Sequence, residues 1–121
     1  MRAHDFDNRQ NAVNYYSRRS NIIGRLDLGD YTIFLDEHLM LRQQGRDVDE
    51  FVIREVIPKI PSAKAKWRTL ADGQSFWIYD NTNRIALGVK ILNLGYKIFS
   101  VKTVWPGKPS SENNFPIFNV A

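Results

Sequence analysis

The stretch Arg84–Leu92, RIALGVKIL, constrains the fold more than any other. Ile85, Leu87, Val89 and Ile91 fall on one side and Arg84, Ala86, Gly88 and Lys90 on the other, a period of two that suits a strand with one buried face. The same period predicts strands at Lys64–Leu70 (KAKWRTL), Gln74–Tyr79 (QSFWIY) and Tyr96–Trp105 (YKIFSVKTVW). The joints ADG, DNTN and NLG are short and turn-rich, as hairpins require. A four-stranded antiparallel meander is expected from Lys64 onward.

Upstream the pattern is helical. Asp7–Arg25 (DNRQNAVNYYSRRSNIIGR) reads as a helix capped by Asp7, with Ala12, Val13, Tyr16 and Ile23 as its apolar positions and Gly24 as its stop. LDLGD reads as a turn, and Tyr31–Leu35 (YTIFL) as a strand or extended lead-in. Asp36 can cap a helix over Glu37–Gln44, with Gly45 at its C-cap. Asp47 or Asp49 starts a further helix that buries Val48, Phe51, Val52 and Val56 and ends at Pro58. The expected fold is α+β: N-terminal helices packed on one face of a four-stranded antiparallel sheet. It is read as a single domain over residues 1–121, with residues 1–29 as an N-terminal helical segment. Residues 110–121 are read as a C-terminal arm in which Phe115, Ile117 and Phe118 are free to dock.

With 43% hydrophobic and 25% charged residues, 121 residues can bury a core without staples. There is no cysteine, so neither a disulfide framework nor a cysteine metal site can form. The start MRAHDFDNRQ lacks an apolar leader, and Lys90, Asn93 and Lys97 interrupt the longest apolar run, so a soluble cytosolic protein with no membrane association is expected.

The net charge of +4 is unevenly placed. Residues 1–57 hold eight Lys/Arg against ten Asp/Glu, whereas residues 58–109 hold nine against two, Asp72 and Asp80. Lys66, Arg68, Lys90 and Lys102 fall on the expected strands among Trp67, Trp77 and Tyr79, with Lys59 before them and Lys108 in the turn WPGKP after them. A sheet face of this kind can neutralise phosphates and stack bases, which points to RNA. The plainer alternative is core tryptophans and solvated lysines.

In DEHLMLRQQGRD, His38, Arg42 and Arg46 stand four residues apart. On a helix His38 and Arg42 share a face, so an imidazole that moves a proton would sit beside a guanidinium that holds a phosphate oxygen. The same spacing suits the solvated side of an ordinary helix, with Asp36 or Glu37 as ion-pair partners. His4 is the only other histidine, which leaves little for an imidazole metal site, and no cofactor is expected.

His38–Ile60 (HLMLRQQGRDVDEFVIREVIPKI) is similar to the His-x-x-x-Arg-x-x-x-Arg helix of the RegB-type phage endoribonucleases and the helix that follows it. Leu70–Ile78 (LADGQSFWI) and Phe99–Lys108 (FSVKTVWPGK) match more loosely, so the likeness spans about two-thirds of the chain, Asp30 to Lys108. More broadly the chain resembles the RelE-type ribonuclease toxins. The resemblance implies cleavage of mRNA, free or on the ribosome, by attack of the 2′-hydroxyl to give a 2′,3′-cyclic phosphate. His38 falls on the family's first catalytic histidine, and Arg42 and Arg46 on its arginines. Where that family has a second histidine this chain has Pro58, so Tyr31, Tyr79 or Lys102 would have to replace it. Two other readings stay open: an RNA-binding or host-regulating protein without catalysis, and an antitoxin-like interaction domain that docks a protein partner through Phe115–Phe118.

Overall fold

The computed structural model describes residues 6–19, 21–110 and 115–121. Helix α1 (Arg9–Ser17) leads into strands β1 (Ile22–Leu28) and β2 (Tyr31–Asp36). Helices α2 (Glu37–Gly45) and α3 (Glu50–Val56), a 3-10 helix (Ile57–Ala63) and a single turn α4 (Lys64–Trp67) follow. Strands β3 (Ser75–Asp80), β4 (Ile85–Asn93), β5 (Ile98–Pro106) and β6 (Ile117–Val120) complete the chain.

The sheet is six-stranded and mixed, not four-stranded and antiparallel; its order is β1-β2-β5-β4-β3-β6. β2 runs parallel to β5 and β6 parallel to β3, while the other neighbours are antiparallel. Nor do the helices all cover one face. α2, α3, the 3-10 helix and α4 bury Leu39, Ile53, Val56, Ile57, Ile60 and Trp67 against one side of the sheet. α1 places Ala12 and Val13 on Phe34 and Ile98 on the other.

Each departure from the sequence expectation has a local cause. α1 is capped by Asn8, whose side chain accepts from Asn11 N at 2.9 Å, rather than by Asp7. Ile23 and Gly24 belong to β1, which pairs with β2 through the two-residue turn Gly29–Asp30. Gly29 has φ +63°, the sign that primed hairpin turns need. Lys64–Trp67 imitates alternation but turns as a helix, because Trp67 is thereby buried and its indole N–H donates to the Ile60 carbonyl at 2.8 Å. Truncating that 1%-exposed side chain to Ala would cost about 3–5 kcal/mol. Phe51 is 77% exposed, because the face of α3 that meets the core carries Ile53 and Val56. Pro58 ends α3 but not helical geometry, since a 3-10 segment accepts proline at its first turn. Of the expected arm, residues 111–114 lie outside the described residues and residues 117–120 are not free. β6 completes the sheet edge, and the Phe118 ring lies 5.4 Å from that of Phe76.

Other expectations hold. Ile85, Leu87, Val89 and Ile91 all enter the same core, β3 and β5 form where predicted, and α2 and α3 start at Asp36 and Asp49. Among the described residues no helix is long and apolar enough to cross a membrane.

Candidate nucleic-acid interface

α2 begins where β2 leaves the sheet. The Asp36 carboxylate accepts from His38 N at 2.8 Å, which caps the helix. Its second oxygen accepts from Lys102 Nζ at 2.7 Å, so one buried acid fixes the start of α2 and a lysine of β5. Lys102 reaches it because of a bulge. Val101 pairs with Val89 and Thr103 with Gly88, leaving Lys102 as the unpaired extra residue.

From that start, helical spacing stacks Arg42 one turn below His38, and Arg42 Nε donates to His38 Nε2 at 3.0 Å. This bond makes Nε2 an acceptor, so the neutral ring carries its proton on Nδ1. Arg46 caps the C-terminus of α2 and crosses to β5. There its Nη1 donates to Thr103 Oγ1 at 3.1 Å and to the Val104 carbonyl at 2.6 Å. Its guanidinium carbon lies 4.4 Å from the centre of the Trp105 ring. Burial, reinforced by the nearby Arg42, lowers the Arg46 pKa, yet a guanidinium stays charged at any physiological pH.

These residues line one open cleft of about 650 Å³, together with Trp77, Lys108 and Ser110. Its floor depends on Gly88. A Cβ there would stand 2.5 Å from Thr103 Cγ2 and 3.4 Å from the Trp77 ring, so any side chain would push apart the strands' outer residues. Trp77 is 7% exposed, and its Nε1 has no hydrogen-bond partner among the described residues. Such a buried donor normally finds one.

The structure therefore brings together His38, Arg42, Arg46, Trp77, Lys102 and Lys108. It does not bring the other expected residues to them. Lys59 Nζ donates to the fully buried Asp80 at 2.7 Å. Lys66 and Arg68 are exposed at α4, in the helical layer that covers the opposite side of the sheet. Trp67, read as a stacking candidate, is core. Tyr79 and Lys90 are half-buried and do not line the cleft.

Sequence reasoning missed Trp105 and Thr103. Strict alternation along β5 would group Trp105 with the core residues Phe99 and Val101. The bulge at Lys102 reverses the phase, so that Val104 is buried and Trp105 is 41% exposed. The signal was present: two valines three apart, Val101 and Val104, cannot both face inward on a regular strand. No family model, curated protein or solved structure matches the chain.

Proposed function

We propose that the chain is a metal-independent endoribonuclease of the cytosol that holds mRNA in this cleft and cuts it by attack of the RNA's own 2′-hydroxyl. One observation carries the reading. His38 shares the cleft with four cations, Arg42, Arg46, Lys102 and Lys108, and no described lining residue is a carboxylate. A cleft built so takes a polyanion. The likeness of His38–Ile60 to the RegB-type helix and the helix after it supports the same reading.

The chemistry follows from the hydrogen bonds. A phosphate entering the cleft competes for Arg42, and as the guanidinium turns to it, His38 Nε2 is released. That nitrogen takes the proton of the 2′-hydroxyl while the 2′-oxygen bonds to phosphorus. The bond from phosphorus to the 5′-oxygen breaks, and this oxygen needs a proton. Tyr31 cannot give it, being a core residue stacked on Phe99. Lys102 lies in the cleft and can, once it leaves Asp36. Arg42 and the part of Arg46 not bonded to β5 offset the charge that builds on the phosphate oxygens. The products are a 2′,3′-cyclic phosphate and a 5′-hydroxyl.

A second reading, RNA binding without cleavage, is favoured by the pairing of Lys102 with Asp36, which occupies the proton donor assigned to the step. Incubation of the protein with RNA in EDTA, beside a His38→Ala variant, separates the two. The first reading expects cyclic-phosphate ends from wild type, and a rate lower by about 10²–10⁴ in the variant. Equal cleavage by both proteins would sink it. Binding without cleavage, with affinity falling steeply in salt, establishes the second.

A further inference from the structure

We infer that Trp105 is a base-stacking platform and that it makes the cleft selective for single-stranded RNA; the inference rests on the RNA reading above. Three observations converge. Trp105 is a large apolar residue at the cleft rim, 41% exposed, where burial would ordinarily claim an indole. It is braced from one side. Its backbone pairs with Ala86 in the sheet, and Arg46, itself fixed by Thr103 and Val104, lies 4.4 Å over the ring. A ring backed on one face by a cation is suited to a nucleobase on its other face, since stacking needs a flat face already in place. The third observation is Trp77. It is more than nine-tenths buried on the same floor, and its indole N–H has no partner among the described residues, so an acceptor oxygen that reached it would meet a donor the fold leaves open.

The consequence is selectivity by strand state rather than by sequence. Every base has a π-face, so a single platform tolerates all of them, but a base inside a duplex cannot leave its neighbours to reach Trp105 without unpairing. Cations alone would bind duplex and single strand alike through their phosphates. Trp105 adds a contribution that only an unpaired base collects.

A single-stranded 2′-O-methyl oligonucleotide, which cannot be cut by the proposed route, and a duplex of equal length serve as probes in fluorescence anisotropy. Wild type should prefer the single strand. Trp105→Leu should weaken its binding by about five- to a hundredfold and leave duplex affinity unchanged, while Trp105→Phe keeps most of the preference. Tight single-strand binding that survives Trp105→Leu, or no preference in wild type, overturns the stacking inference and leaves the RNA reading intact. No binding of either probe by wild type at low salt overturns both.

Discussion

Two lysine–aspartate pairs in this molecule have the same N–O distance, 2.7 Å, and nearly the same burial of the acid, yet serve different ends. Asp80 is fully buried and spends its remaining capacity on the β3–β4 turn, accepting from Thr82 N, Asn83 N and Asn83 Nδ2. Its lysine, Lys59, is 26% exposed and among the described residues meets only this acid. Asp36 has one other bond, to the start of α2, and its lysine, Lys102, is 39% exposed on a cleft lined with other cations. What separates a structural pair from a poised one is the number of other bonds that the acid makes and the company that the lysine keeps. Distance and burial of the acid do not.

Substitution breaks the comparison most directly at the acids. Asp80→Ala leaves Lys59 beside a buried void and orphans the amides of the turn, so it should cost about 3–5 kcal/mol in urea unfolding. Asp36→Ala loses a helix cap but frees Lys102 toward solvent, so about 1–2 kcal/mol is expected. Equal losses would show that the two pairs are energetically alike and that the turn network adds nothing.

A smaller effect comes from pH. Burial alone would raise the Asp80 pKa, but Lys59, Asn83 and the two turn amides outweigh it, and the carboxyl is held below its ordinary value. A depressed folded-state pKa gives stability that is present above the unfolded value, about 4, and is lost as pH falls through the folded value. Acid titration of the unfolding midpoint should therefore show a fall below about pH 4 that Asp80→Asn reduces. An unchanged acid limb in that variant would assign the loss to other carboxylates.

The same contrast shows what the sequence could reveal. The cap at Asp36 and the row of His38 and Arg42 were legible, because capping and the 3.6-residue period are local and the required residues are close neighbours in the sequence. The strands at Ser75–Asp80 and Ile85–Asn93 were legible for the same reason. Lys64–Trp67 was not, since four residues do not distinguish a period of two from one of 3.6, and the deciding bond, from Trp67 to Ile60, is tertiary. β6 was hidden because PIF and NVA carry no alternation, and only the open edge of β3 makes a strand of them. Pairing partners were equally invisible: Lys59 and Lys102 are both lysines in a basic half, and Asp80 and Asp36 lie 21 and 66 residues from them.

The smallest predicted effect is the sharpest test of the distinction between the lysines. Each phosphate that a protein neutralises on a single strand contributes about 0.7 to the slope of log affinity against log salt. Lys102 lies on the proposed RNA path and Lys59 does not, so Lys102→Met should lower that slope by about one contact while Lys59→Met leaves it unchanged. Lys66→Met controls for mere loss of a surface charge, because Lys66 is exposed on the opposite, helical layer. Net charge falls by one in all three variants, so a general field effect would move them together. A slope change shared by Lys66→Met would carry the RNA across the helical face and detach binding from the cleft of His38. A change confined to Lys102→Met ties the polyanion to a cleft lysine whose acid partner leaves it free to exchange.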